Sequence, residues 1–331
     1  MRWRLRDCLI DGQARGTHVT ASPDMLIVIG GSTASGKSEL ALTLARRFDG
    51  VIVNADSQQL FRDLAILTAR PTPRETELVP HHCYGMFGPE EQPSVGLWLD
   101  LAGKALASRR DSGRPAIIVG GTGLYLHALL HGIADMPVIP DQMRGELRDW
   151  AAGRSAADIH QRLAALDQAM AARLRPSDTQ RLLRALEVRL ATGRSLLEWQ
   201  GAERRRLTLP GKVVGVALVP AAEAVALRVH ARLEAMLADG ALAEVADLLS
   251  RRPEALSLPI AKVHGMRELA AVLRGTLPIE QARAEITAQI RQYAKRQRTW
   301  FRRQLPEFQR IACTGETDEA LTAATALLGN G

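Results

Sequence analysis

The apolar run Met25-Leu26-Ile27-Val28-Ile29 leads directly into Gly31-Ser32-Thr33-Ala34-Ser35-Gly36-Lys37-Ser38, a G-x-x-x-x-G-K-[ST] pattern, and then into helical spacing from Ser38 to Phe48. A short β-branched run ahead of glycines reads as a buried parallel strand, so strand, loop and helix stand in the order a phosphate-binding loop needs. The glycines let backbone N–H groups turn onto phosphate oxygens, and the helix N-terminus adds its partial positive charge. Lys37 supplies a point charge and Ser38 a hydroxyl for Mg2+.

Further strands are expected at Val51-Ile52-Val53, at Ala116 to Val119 after the turn Gly113-Arg114-Pro115, and at Val213 to Val219. Strands alternating with helices give an α/β class: a P-loop NTPase-like parallel sheet flanked by helices. With 331 residues the chain is about twice a typical single domain. Beyond Pro137 and Pro140 it becomes Ala-, Leu- and Arg-rich at helical spacing without a strand signal. The expected organisation is therefore a core over 25–136, an inserted all-helical domain over 137–209, and core completion with a helical C-terminal region over 210–331. Residues 1–24 carry Arg2, Arg4 and Arg6, but Asp7 and Asp11 interrupt any apolar stretch, so they read as a loose extension rather than a secretory signal.

A composition of 46% hydrophobic and 24% charged residues excludes wholly disordered and collagen-like chains. No run approaches the roughly 18 apolar residues of a spanning helix, so no membrane residence is expected. Cys8, Cys83 and Cys313 form no C-x-x-C pair, which excludes a zinc ribbon and a disulfide framework and points to a reducing cytoplasm. His81-His82 point apart and lack a third ligand, so they read as structural. Tyr125 and Trp300 read as core aromatics, and Gly121-Thr122-Gly123 lacks the third glycine of a dinucleotide fingerprint.

The net charge of +7 implies a polyanionic partner without naming it. Gln281 to Arg303 alone carries a net +6. Arg291, Lys295, Arg298 and Arg302 fall on one helical stripe, while Ile286, Ile290, Tyr293 and Trp300 form an apolar stripe that packs inward. Weighed against a merely solvated face, the basic stripe reads as a surface for RNA phosphates.

A phosphate loop leaves nucleotide hydrolysis, kinase chemistry and diphosphate-leaving-group chemistry open. Val51 to Asp56 ends in an acid at the carboxyl edge of the sheet, where open α/β sheets put their chemistry. Asp56 is thus a water-mediated Mg2+ ligand or a general base, against the plainer reading of a turn aspartate. The strand Ala116 to Val119 ends in Gly120-Gly121-Thr122-Gly123, without the acid with which NTPases hold Mg2+, which argues against ATPase chemistry.

Taken in order, the phosphate loop, Asp56-Ser57-Gln58-Gln59-Leu60-Phe61, Thr68-Ala69-Arg70-Pro71, Pro80-His81-His82 and Gly120 to Tyr125 resemble the tRNA dimethylallyltransferase family, also called tRNA isopentenyltransferases. Asp178 to Glu187 and Arg291 to Gln297 resemble it too, so the likeness runs from about Met25 to Trp300. The resemblance implies transfer of a dimethylallyl group from dimethylallyl diphosphate to N6 of adenosine 37, in the anticodon stem-loop of tRNAs reading codons that start with U, giving N6-dimethylallyladenosine and diphosphate. It implies Asp56 as general base and Mg2+ as cofactor, with Thr33 near the reacting end. Gly31, Ser32, Thr33, Ala34, Ser35, Gly36, Lys37 and Ser38 would hold the diphosphate, and Ser38 the metal.

Two arginines four apart on one helix face, Arg228 and Arg232, are the expected diphosphate contacts, with Arg232 preferred. By the same resemblance Asp56, Ser57, Gln58, Gln59, Thr122, Arg144, Gln180, Arg181, Leu182, Leu183 and Arg184 meet the tRNA, as do Lys262, Val263, His264, Gly265, Met266 and Arg267. A monomer is expected. The chain departs from the family pattern at Ser32, Phe61, Leu67, Cys83 to Met86 and Met266, none of which is Asp56, Lys37 or Ser38. A small-molecule P-loop kinase, an RNA-binding nucleotide sensor and a prenyltransferase acting on free adenylate remain the alternatives.

Overall fold

A computed structural model describes residues 25–136, 138–202, 204–209, 211–313 and 317–329. The extension expected over residues 1–24, together with Pro137 and Pro210, lies outside the described residues. In chain order the elements begin with β1 (Met25–Gly31), α1 (Lys37–Phe48), β2 (Val51–Asn54), α2 (Pro73–Leu78), β3 (His81–His82), α3 (Val95–Ser112), β4 (Ala116–Gly120) and α4 (Gly123–His131). Next come β5 (Ile133–Ala134), α5 (Asp141–Ala151), α6 (Ala156–Leu166), α7 (Gln168–Ala171), α8 (Thr179–Thr192), α9 (Leu196–Gly201) and β6 (Arg204–Arg205). The last are β7 (Lys212–Pro220), α10 (Ala222–Ala238), α11 (Ala241–Arg251), α12 (Met266–Leu273), α13 (Ile279–Gln304), β8 (Gln309–Cys313) and α14 (Thr317–Gly329).

Six strands make one parallel sheet in the order β3-β2-β4-β1-β7-β8. β1 is paired on both sides, with Ile29 opposite Val119 of β4 and Val216 of β7. β1, β2 and β4 are buried along their whole lengths. Burial on both faces is why these strands read in the sequence as unbroken apolar runs. α1 buries Leu40, Ala41, Leu44, Ala45 and Phe48, a stripe at helical spacing that shares one core with Ile27, Ile29, Ile52 and Ile117. Trp98 of α3 is fully buried, stacks on Tyr125 with ring centroids 4.7 Å apart, and donates its Nε1–H to the Asn54 carbonyl at 2.7 Å. Tyr125 is a core aromatic, as expected.

Four strands are absent from the sequence reading. β8 lies in the region expected to be helical to the end, and it pairs with β7 only, at the sheet edge. Its run Gln309-Arg310-Ile311-Ala312-Cys313 lacks the continuous apolar signature because an edge strand need not be covered on both faces. β3, the pair His81-His82, is the opposite edge and is held by Ile52 and Val53. β5 and β6 pair antiparallel, Ile133 with Arg205, and at two residues each they are too short to show an alternating pattern.

The chain divides into two compact units, one built from the sequence on either side of the other, His127–Thr208. The first contains the six-stranded sheet. The second opens ahead of Pro137, within α4, and is helical apart from β5 and β6. It has its own core, including Leu147, Ile159, Leu163, Leu182 and Leu186. Ser155 and Ser195 start α6 and α9 with capping boxes completed by Asp158 and Glu198, so its helices are set by local sequence.

At the end of β4, Gly120 backs onto the chain leaving β2, and a Cβ there would collide with the backbone of Ala55. Gly120→Ala is expected to destabilise the fold by about 1–3 kcal/mol, as overpacking against backbone does. A urea midpoint equal to that of the wild type would show that the ends of β2 and β4 separate at no cost.

Candidate active site

The chain leaves β1 through Ser32–Gly36 and enters α1 with no side-chain cap at Gly36. The first N–H groups of that helix are therefore left for an external anion. Lys37 is buried and its Nζ donates to the Ser32 carbonyl at 3.2 Å. Burial pulls its ammonium down to about 8, helped by the Arg232 charge and opposed by Asp56. An anion arriving at the loop would return the proton-favouring field that burial removes.

Asp56 owes its place to Asn54, the last residue of β2, which is fully buried. Asn54 Nδ2 donates to the carbonyls of Asp56 (3.0 Å) and Cys83 (2.9 Å), while its Oδ1 accepts the Asp56 N–H at 2.8 Å. The amide thus fixes the turn that aims the carboxylate. Asp56 Oδ1 accepts the Gln58 N–H at 3.0 Å, and the Ser57 N–H donates to Thr122 Oγ1 at 2.9 Å. Gln58 Oε1 accepts the His264 N–H at 3.2 Å, and Gln59 Nε2 donates to the carbonyls of Thr68 and Ala69 at 3.1 and 2.7 Å. The Asp56 to Gln59 run therefore braces three other segments around itself.

Asp56, Thr33, Gln58, Arg232, His264 and Tyr293 share a chamber of about 60 Å³ with Leu67, Val229, Leu233, Met236, Ile286 and Ile290. Arg232 Nη2 reaches the Thr68 carbonyl at 3.5 Å, whereas Arg228 turns to the loop and donates to the Ala34 carbonyl at 3.3 Å. Burial lowers the Arg232 pKa and Asp56 opposes the shift. Burial and the Arg296 charge hold the His264 imidazole below its ordinary value, and its Nε2 is buried without a hydrogen-bond partner. The Tyr293 hydroxyl is pushed up by burial and by the Asp56 charge, with smaller opposing influences from Thr122 and Gln297.

The structure brings together the phosphate loop, Asp56 to Gln59, Thr122, Arg228, Arg232 and His264. Arg291, Lys295 and Arg298 line a different concavity, a groove of about 380 Å³ shared with Ser32, Val225, Ala226, Ala288 and Ala294. Ser32 faces the groove and Thr33 the chamber, so the loop divides the two. Arg302 is exposed nearer the end of α13, and its carbonyl accepts from Arg310. Lys262 and Arg267 are exposed but tied, to Gln92 Oε1 at 2.8 Å and to the Leu256 carbonyl at 3.1 Å.

In the second unit Arg144 pairs with Asp141 at 3.3 Å, Arg181 with Asp178 at 3.5 Å and Arg184 with Glu187 at 3.0 Å, and Gln180 starts α8 beside them. Three of the expected contact residues, Leu182, Val263 and Met266, place their side chains in the core, at 0%, 4% and 0% exposure. Leu183 packs half-buried against the core that holds Leu182. These apolar positions in the two segments hold the polar ones in place by packing.

Four residues of the site escaped the sequence reading as functional groups. Asn54 looked like the last residue of a strand. Tyr293 was assigned to inward packing, and Arg296, whose guanidinium lies 5.7 Å from the Tyr293 ring centroid, fell outside the basic stripe. Gln297 did leave a signal: Ile286, Ile290, Tyr293 and Trp300 continue through position 297, so a polar side chain interrupts an apolar stripe. As a whole, the chamber sets one carboxylate beside two cations and an anion-binding loop, within hydrocarbon walls. Such a site can take a proton from an entering nucleophile and hold a phosphate leaving group out of bulk water.

The sequence model of the family described as IPP transferase matches residues 59–304. A Rhodospirillum rubrum protein named tRNA dimethylallyltransferase is 48% identical over 280 residues, which cover 85% of this chain and 86% of that one. One of the same name from Azorhizobium caulinodans is 45% identical, covering 92% and 96%. Among solved structures, the full-length tRNA isopentenylpyrophosphate transferase of Bacillus halodurans superposes with a TM-score of 0.65 at 28% identity, covering 92% and 95%. A eukaryotic dimethylallyltransferase acting on tRNA gives 0.74 at 25% identity, covering 92% and 80%. A family match over most of the chain, with relatives this similar along nearly their full lengths, makes this chain a member of the IPP transferase family.

Proposed function

We propose that the chain is a tRNA dimethylallyltransferase that moves a dimethylallyl group from dimethylallyl diphosphate to N6 of adenosine 37. The observation that carries this reading is the chamber, in which Asp56 and Thr33 face a small space walled by Leu67, Val229, Leu233, Met236, Ile286 and Ile290. The lining joins that apolar surface to the Asp56 carboxylate and the Arg232 guanidinium, the combination that a hydrocarbon group carried on a diphosphate calls for. A nucleotide sensor would need no carboxylate there.

The lone pair of an adenine exocyclic amine is delocalised into the ring, so N6 needs help as a nucleophile. Asp56 accepts the N6 proton as the N6–C1 bond forms and the C1–O bond of the diphosphate breaks, with the bonding pair leaving on the diphosphate oxygen. Lys37, Arg232 and the N–H groups at the start of α1 receive that charge. Arg228, on the Ala34 carbonyl, holds the loop's outer side. The apolar walls keep water away from the allylic carbon while it is reactive.

Among the described residues no group of three or more His, Cys, Asp or Glu side chains is arranged to hold a metal ion. The Ser38 hydroxyl at the loop is a hard oxygen donor and suits Mg2+, which takes one or two protein ligands and completes its shell with phosphate oxygens and water. When bound, Mg2+ would neutralise diphosphate charge. For the acceptor, Arg144, Gln180, Arg181 and Arg184 in the second unit and Ser57, Gln58, Thr122, Lys262, His264 and Arg267 in the first offer the polar and cationic groups that splayed anticodon-loop bases and phosphates require. No helix among the described residues is long and apolar enough to cross a membrane.

The decisive experiment incubates the protein with Mg2+, radiolabelled dimethylallyl diphosphate and unmodified tRNA bearing adenosines at positions 36 and 37, with AMP and ATP as controls. Label at adenosine 37 is expected; label on AMP alone would move the acceptor to free adenylate, and ATP turnover without label would indicate a kinase. Asp56→Ala is expected to lower turnover by about 10²-fold while tRNA affinity measured by filter binding is largely kept. Wild-type turnover in that variant would remove Asp56 from the chemistry.

Lys37 also predicts a pH dependence. Its pKa of about 8 in the free protein rises when an anion binds, so donor binding takes up a proton above that pH and affinity falls as pH increases from 7 to 9.5. A phosphate ester's last ionisation, at about 6, lies below this window. Calorimetry in buffers of different ionisation enthalpy should record the uptake at pH 8.5; its absence would mean that Lys37 is already charged. Finally, reversing Arg298 and Arg302 to Glu is expected to weaken tRNA binding and flatten its salt dependence by nearly one logarithmic unit per lost phosphate contact. An unaltered slope would leave that stripe a solvated face.

A further inference from the structure

Gln297 is 4% exposed, and its side chain leaves α13 to bond two backbone groups that belong to other elements. Its Oε1 accepts the Thr33 N–H at 2.8 Å, and its Nε2 donates to the Gly121 carbonyl at 2.9 Å. The two partners fix the orientation of the amide, because an N–H can only donate and a carbonyl only accept. Among side chains of this length, only glutamine offers both functions in one plane without charge.

The identity of the partners gives this contact its meaning. In a phosphate loop the backbone N–H groups face the ligand, but the N–H of Thr33 is committed to Gln297. The conformation at Thr33, and with it the side chain facing the chamber, is thus set from α13 before any anion arrives. On its other side the amide holds Gly121, which precedes Thr122, the acceptor of the Ser57 N–H next to Asp56. Tyr293, one turn earlier on α13, lines the chamber with Thr33 and Asp56. The close fit extends along the helix: a Cβ on Gly121 would collide with Gln297 Nε2, one on Gly30 with Phe301, and one on Gly123 with Trp300.

We propose that Gln297 is a positioning residue of the transfer reaction: one buried amide ties the phosphate loop to the turn after β4 and so holds Thr33 in register with Asp56. This rests on the reading of the chamber as the transfer site. Donor charge is held by Lys37, Arg232 and the helix N-terminus, none of which Gln297 touches. Its loss therefore misaligns the reacting ends while leaving both substrates bound.

The test compares Gln297→Met, which keeps the volume and removes both hydrogen bonds, with Gly121→Ala, which displaces the amide while leaving α13 unchanged. Single-turnover label transfer to tRNA, KM for dimethylallyl diphosphate, tRNA Kd and thermal midpoint are measured for each beside the wild type. In whichever variants fold, the rate is expected to fall by about 10²-fold, the loss typical of a small misplacement of reacting groups, with donor KM and tRNA Kd within a few-fold of wild type. Wild-type rates in either variant, with or without a lowered thermal midpoint, would overturn the proposal. So would a loss seen wholly in KM or Kd, since that would assign Gln297 to binding. If the wild type itself transfers no label, the chamber reading fails and this proposal with it; transfer by the wild type that the variants match sinks only the role of Gln297.

Discussion

β1 is hydrogen-bonded on both sides, to β4 and to β7, and buried on both faces. Its backbone polar groups are committed to the sheet, so the chain is held rigidly up to Gly31 and must then turn sharply into α1. The start of α1 carries no side-chain cap, which leaves its first N–H groups for an anion, while the Thr33 N–H in the turn is held by Gln297. Everything else in the site is arranged around this point. β2 and β4 end beside it, one delivering Asp56 and the other Gly121 and Thr122, while α10 and α13 complete the enclosure with Arg232, Tyr293 and Gln297.

Burying Lys37 next to Arg232 is unfavourable, and Asp56 supplies the compensating charge. The three groups thus form a partly neutralised cluster poised for an anion. A diphosphate entering it replaces lost solvation with fixed charges and N–H groups that need not reorganise as the leaving group departs. The same arrangement orients Asp56, whose turn is further fixed by the Asn54 amide. Two buried amides thus brace the site, Asn54 the turn that carries the carboxylate and Gln297 the loop. Both are satisfied at oxygen and nitrogen, as buried amides must be to stabilise rather than strain a core.

The hydrocarbon part of the chamber comes from elsewhere. Leu67 belongs to the segment after β2, and that segment is anchored through the N–H groups of Ile66 and Leu67 on the Glu244 carboxylate of α11, at 2.8 and 2.9 Å. Val229, Leu233 and Met236 come from α10, and Ile286 and Ile290 from α13. The cationic stripe Arg291, Lys295 and Arg298 lies on another face of α13 and lines the groove that Ser32 also borders. A single long helix thus presents apolar residues to the chamber, a polar brace to the loop and cations to a separate groove.

The sequence by itself determined the strand–loop–helix at Gly31 to Ser38, the buried strands β1, β2 and β4, and the acid at the carboxyl edge. These features are local: burial on both faces leaves a continuous apolar run, and anion binding needs glycines and a lysine at fixed spacing. The ordered motifs also made the family legible, and α13 could be read as amphipathic from its 3.6-residue period. Only the tertiary structure decided which motif residues are packing and which face the site, because Leu182, Val263 and Met266 are distinguished from their polar neighbours by what surrounds them. The same holds for β8, which has one partner and so no double-sided apolar code. It holds for Gln297, whose partners lie 264 and 176 residues away along the chain. A hydrogen bond across such a separation leaves no periodic trace in sequence; it exists only once the sheet and α13 have packed.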